Sequence, residues 1–235
     1  MLLEQNEGSV FVKICGNTSE EDALLAVALG ADAIGFIFAP SPRQVQPAFV
    51  REITHRIPPS VLTVGVFRDE LPKRVIEIVQ NTGLRAAQLH GRETPEDVAE
   101  VHRRIPYVIK AFSSGDENIK RADEYDADVI MIDNDQPGSG KMFDWNRTSD
   151  VPTSVQLLLA GGLNPDNVAD AISQVHPWGV DVVSGVEAEP GKKDPRKLRA
   201  FIAAARQAEN SASESDAADT LEDANAAPYD WQDEN

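Results

Sequence analysis

Short apolar, β-branched runs recur along the chain at 10–15, 33–38, 62–67, 86–89, 107–111, 129–132, 157–160 and 180–183. Most are nearly continuous rather than alternating, as expected of parallel strands covered on both faces. Segments of helical period separate them, several with a clear start signal. Thr18-Ser19-Glu20-Glu21-Asp22 sets a cap and acidic first-turn residues before 23–29, and Gly30 stops that helix. Thr94-Pro95-Glu96-Asp97 adds proline at the first helical position. Asn164-Pro165-Asp166 and Asp194-Pro195 repeat the device before 168–172 and 198–205. Helices near 47–57, 72–80 and 116–125 fill other gaps, and in the sixth connection only 144–148 has helical character.

Eight strand-then-helix units of this kind predict right-handed crossovers that close on themselves. The fold class is α/β: a single (β/α)₈ TIM barrel over 10–208, with an N-terminal extension at 1–9. An open doubly wound sheet would announce itself by a glycine-rich loop after the first strand. Here that strand ends Ile14-Cys15-Gly16-Asn17, without the fingerprint.

Composition sharpens the picture at the C-terminus. The net charge is −17, but nine acidic residues and no basic one lie from Glu209 onward, leaving 30 acidic and 22 basic residues before it. Residues 209–235 read as a disordered acidic tail, with Tyr229 and Trp231 as the residues that would anchor it if it docked on a partner. The acidic balance argues against nucleic acid as a ligand. One cysteine excludes an internal disulfide, and no Cys/His spacing suggests a metal. The polar start is unlike a signal peptide, and no apolar run is long enough to span a membrane, so the expected compartment is the cytoplasm. The oligomeric state, monomer or homodimer, stays open.

In a barrel, the C-terminal strand ends and the loops after them build the active site. Those ends carry Lys13 and Cys15, Arg43, Arg68 and Asp69, His90, Lys110, Asp133, Gly161-Gly162, and Asp181 with Ser184-Gly185. Glycine pairs let backbone N–H groups approach an anion, so the last two loops point to a phosphate, against the plainer reading of two tight turns. Lys13 and Cys15 share a strand face at two-residue spacing, and an ammonium there would favour a thiolate base. Asp133 follows four apolar residues, suiting a carboxyl whose pKa is raised by desolvation; a loop carboxylate is the alternative. His90 is either a proton carrier or a hydrogen-bonded strand-end histidine. Arg43, in the proline-stiffened loop Ala39-Pro40-Ser41-Pro42-Arg43, suits capture of a carboxylate or stands as a surface charge.

At these residues the chain resembles the phosphoribosylanthranilate isomerase family. The matching pieces include Val12-Lys13-Ile14-Cys15-Gly16, Gln88-Leu89-His90-Gly91, Gly138-Ser139-Gly140-Lys141-Met142-Phe143-Asp144-Trp145, Ala160-Gly161-Gly162-Leu163-Asn164-Pro165 and Asp181-Val182-Val183-Ser184-Gly185-Val186-Glu187. The resemblance implies an Amadori rearrangement of a phosphorylated aminoaldose, N-(5-phosphoribosyl)anthranilate, in tryptophan biosynthesis, without metal or organic cofactor. It further implies Cys15 as general base, Asp133 as general acid and Arg43 on the anthranilate carboxylate. The backbone amides of Gly161, Gly162, Ser184 and Gly185 would hold the phosphate, and Asp181 is a further expected substrate-binding residue. Val183 stands where family members often have serine, and the acidic tail lies outside the family pattern. The histidine-pathway aminoaldose isomerases resemble this chain at the glycine loops but expect an aspartate at the position of Cys15.

Overall fold

The computed structural model describes residues 9–134, 148 and 150–208. The expected acidic tail, the extension up to residue 8, the Gly138-to-Trp145 motif and most of the helical reading at 144–148 lie outside these residues. Eight parallel strands close in sequence order: β1 (Phe11–Ile14), β2 (Ala33–Ile37), β3 (Leu62–Phe67), β4 (Ala86–Leu89), β5 (Tyr107–Ser113), β6 (Val129–Asp133), β7 (Leu157–Leu159) and β8 (Gly179–Val182). β8 pairs back on β1, with Lys13 level with Asp181. Outside lie α1 (Glu20–Ala28), α2 (Pro47–Thr54), α3 (Pro72–Thr82), α4 (Pro95–His102), α5 (Val168–Val175) and α6 over 195–208. No helix among the described residues is long and apolar enough to cross a membrane.

The caps follow the sequence with two departures. Ser19 Oγ accepts from Asp22 N, and Thr94 with Asp97 forms a reciprocal capping box. Asp194 Oδ1 accepts from Arg196 N and Lys197 N at the start of α6. Asn164 does not cap α5: its side chain closes a local turn onto Asp166 N, and the helix begins only at Val168. Short amide side chains offer the backbone this alternative to helix. The expected α-helix at 116–125 is instead a 3₁₀ helix over Glu117–Glu124, broken at Arg121. Its sequence is mostly charged and only Ile119 and Ala122 are buried, so little packing holds a regular helix there.

Closure divides every strand into inner and outer positions. The inner cluster contains Phe11, Ala33, Leu62, Val64, Ala86, Ile109, Ala111, Val129, Met131 and Leu158. Alternate residues such as Val12, Ile14, Ile34, Phe36, Val108, Leu159 and Val180 pack outward under the helices. Trp178 stacks on Phe11 at 4.4 Å and closes the N-terminal end of the barrel. The C-terminal end is lined by polar groups instead.

The same alternation corrects one expected site residue. Lys110 lies between the inward Ile109 and Ala111, so its side chain leaves the barrel on the outer face. There its ammonium pairs with Glu93 at 2.8 Å and donates to Gly91 O at 2.8 Å, almost wholly buried. Glu93 also accepts from Asp69 N and Gly91 N, and Asp69 accepts from Arg92 N. One buried ion pair thus fastens the loops after β3 and β4 together. Breaking a buried pair leaves an uncompensated charge, which costs about 3–5 kcal/mol. Glu93→Ala is therefore expected to lower unfolding free energy by about that amount, read from the urea midpoint; a loss near that of a surface substitution would contradict this role.

Candidate active site

At the barrel's C-terminal mouth a cavity of about 270 Å³ is lined by residues of seven strand ends and the proline-rich loop, among them Cys15, Arg43, Arg68, Gln88, His90, Ser113, Asp133, Asp181 and Val183. Its polar walls come from inner positions: Cys15 follows β1 in phase with Lys13, Asp133 ends β6, and Asp181 lies in β8. Six of the residues expected at the rim, Cys15, Arg43, Arg68, His90, Asp133 and Asp181, share this one cavity. Asp69 is not among its lining residues, and its backbone bonds place it in the loop network around Glu93.

Cys15 is buried, and its sulfur occupies space that only a glycine on β2 leaves free. A Cβ added to Gly35 would stand 2.5 Å from Sγ. Lys13 is wholly buried on the same face, and its ammonium meets Asp181 at 2.6 Å. Burial lowers the Lys13 pKa, but Asp181 and Cys15 outweigh it and hold the ammonium charged. For Cys15 burial dominates: it pushes the thiol up, and the attraction of Lys13 does not offset this. Lys13 favours the thiolate, as expected, but burial outweighs it, and Lys13 divides its charge with Asp181.

Asp133 shows the opposite use of burial. Desolvation raises its carboxyl to about 7, against a backbone hydrogen bond from Asn134. His90 lies beside it, Nε2 standing 3.5 Å from Oδ2, and Gln88 Nε2 is 3.2 Å from the other ring nitrogen. Burial, with Lys110 and Lys13 nearby, pulls His90 down to about 4. Near neutrality the imidazole is therefore uncharged, and Asp133 holds the exchangeable proton.

Gly161 and Gly162 follow β7 with φ of 87° and 75°, a region closed to most side chains. Asn167 Nδ2 donates to Gly162 O at 3.1 Å, holding that carbonyl back against the loop. The second loop, Ser184–Val186, is a 3₁₀ turn packed directly on the first, since a Cβ on Gly185 would fall 1.9 Å from Leu163 O. None of the N–H groups of Gly161, Gly162, Ser184 and Gly185 donates to an acceptor among the described residues. These glycines are not in the cavity lining; they sit at the same rim, after β7 and β8.

Two charged residues escaped the sequence reading. After β8 the chain forms a two-stranded ribbon, β9 (Glu187–Glu189) and β10 (Lys192–Lys193). Glu187 takes two hydrogen bonds from Arg43, at 2.8 and 2.7 Å, and Lys193 Nζ lies 3.4 Å from it. Burial raises Glu187, but Arg43 and Lys193 outweigh it and keep it ionised. Its position directly after the glycine loop was the available signal, yet its partner is 144 residues away in sequence.

Comparisons with known proteins bear on the family and the fold. The family model of N-(5'phosphoribosyl)anthranilate (PRA) isomerase matches residues 12–204. An N-(5'-phosphoribosyl)anthranilate isomerase of Desulforudis audaxviator is 47% identical over 204 residues, covering 84% of this chain and 98% of that protein. The corresponding protein of Thermotoga petrophila is 46% identical over 199 residues, 82% of this chain and 97% of its own. Among solved structures, the phosphoribosyl anthranilate isomerase of Thermus thermophilus superposes with a TM-score of 0.79 at 40% identity, covering 83% of this chain and 98% of that one. A second, solved in complex with reduced 1-(o-carboxyphenylamino)-1-deoxyribulose 5-phosphate, gives 0.74 at 42%, covering 84% and 99%. The chain belongs to the phosphoribosylanthranilate isomerase family.

Proposed function

We propose that this protein isomerises N-(5-phosphoribosyl)anthranilate to 1-(2-carboxyphenylamino)-1-deoxyribulose 5-phosphate, an aldose–ketose step of tryptophan biosynthesis carried out in the cytoplasm by the domain spanning 10–208. The observation that carries the reading is that Cys15, just after β1, and Asp133, at the end of β6, line one cavity with only β7 and β8 between their strands. Two proton-transfer groups, separated by strands that end in glycine loops, fit a phosphosugar held at one end and reacted at the other.

Each step draws on a group already described. Opening the furanose requires a proton on the ring oxygen, which Asp133 supplies from its protonated form. The Schiff base so formed acidifies the hydrogen on sugar C2, and the Cys15 thiolate removes it. Lys13 stabilises that thiolate as it forms. The amides of Gly161, Gly162, Ser184 and Gly185 receive the phosphate, Asp181 borders the sugar, and Arg43 takes the anthranilate carboxylate. No metal or organic cofactor enters the scheme, because both proton transfers have a side chain.

The acid titrates below the base, so the productive form, protonated Asp133 with ionised Cys15, is the minor one. Below pH about 7 the thiolate fraction grows with pH while Asp133 stays protonated, and kcat/KM rises. Above it, loss of the Asp133 proton cancels the gain in thiolate until Cys15 itself titrates. Asp133→Asn is expected to lower turnover by about 10²–10⁴ and to remove the break near pH 7 from whatever activity remains. A break that persists would belong to another group. Cys15→Ser should cut kcat by about 10² or more while KM changes little, followed as loss of substrate fluorescence; turnover close to that of the unaltered protein would remove the thiol from the mechanism.

A further inference from the structure

Arg43 meets the cavity from one side and a carboxylate from the other. Its Nε and Nη2 donate side-on to Glu187 Oε1 and Oε2, with both side chains buried. Nη1 carries no hydrogen bond among the described residues, and Arg43 lines the cavity whereas Glu187 does not. Behind Glu187 lies Lys193, its side chain wholly buried, donating to Cys15 O at 2.6 Å and Val183 O at 3.1 Å. The ribbon carrying both residues is itself fastened to the loop after β1. Lys193 N donates to Asp22 Oδ2 at 3.1 Å, and Thr18 Oγ1 donates to Gly191 O. Arg43 and Lys193 share the carboxylate of Glu187, and of the three only Arg43 borders the cavity.

We propose that Glu187 is a positioning residue, fixing the plane of the Arg43 guanidinium so that its Nη1–Nη2 edge faces a carboxylate in the cavity, and that Lys193 locks this clamp to the strand end bearing Cys15. The proposal deepens the reading above and rests on Arg43 as the carboxylate-binding group. An arginine held by one edge has already lost most of its rotamer freedom, so it binds a planar carboxylate without ordering itself first. A purely structural Glu187 would affect every ligand of the cavity alike. A positioning Glu187 affects only ligands that use the guanidinium.

The test is calorimetric titration of the full-length protein with two stable probes, reduced 1-(o-carboxyphenylamino)-1-deoxyribulose 5-phosphate and its counterpart with phenyl in place of carboxyphenyl. Glu187→Gln is expected to weaken the first about tenfold and the second by less than about twofold. Glu187→Asp keeps the charge but shortens its reach, and it should give the same split if the glutamine variant does not fold. Equal weakening of both probes, or unchanged or tighter binding of the first, overturns the proposal. Arg43→Ala separates the two levels of the argument. If it weakens both probes alike, Arg43 is not the carboxylate-binding group and the underlying reading falls. If it spares the phenyl probe while Glu187 variants do not discriminate, only the role of Glu187 falls.

Discussion

Closure of the eight-stranded sheet is the constraint from which the site follows. Once β8 pairs with β1, every second residue of each strand must face the axis, and all strands end at the same rim. Lys13 and Cys15, Gln88 and His90, Met131 and Asp133 are inner neighbours at two-residue spacing, and their order along each strand takes an apolar or tied-down middle to a reactive top. A shift of one residue would exchange them for Val12, Ile14, Leu89 and Ile132, which pack under the helices or outside the sheet.

Charge is buried around this rim only in compensated form. Lys13 with Asp181 lies inside the barrel, Lys110 with Glu93 outside it, and Arg43 with Glu187 and Lys193 in the loops. Such pairs add little net stability compared with apolar packing, because desolvation offsets most of their attraction. What they contribute is fixed geometry. Glu93 ties the loop after β3 to the one after β4, and Lys193 ties the carbonyls of Cys15 and Val183 to the last ribbon. The loops of a barrel face solvent and are its least constrained parts, so these pairs act where packing is weakest.

Burial also selects protonation states. It brings the Asp133 carboxyl to about 7, removes a proton from His90 and favours the thiol form of Cys15. A neutral imidazole and a carboxyl near its titration midpoint are therefore adjacent, with the thiol in the same cavity. The ammonium of Lys13 is the nearby cation on which a thiolate can rely.

Much of this was legible in the residues themselves. The eight apolar runs, the caps at Ser19 and Thr94, and the acid that ends the sixth run all express local preferences that the fold retains. Local chemistry also explains the failures at Asn164 and at 117–124, where turn-forming and charged side chains competed with helix. Pairings between distant segments were not legible, since Arg43 with Glu187 and Lys193 with Cys15 O are separated by 144 and 178 residues. Nor was the direction of the Cys15 shift, which depends on how much water is excluded and on Asp181 sharing Lys13. Sequence determined which groups reach the rim and on which face, because period and propensity are properties of neighbouring residues. Only the closed structure decided which of them touch and which carry a proton, because contact and desolvation exist only after distant strands have met.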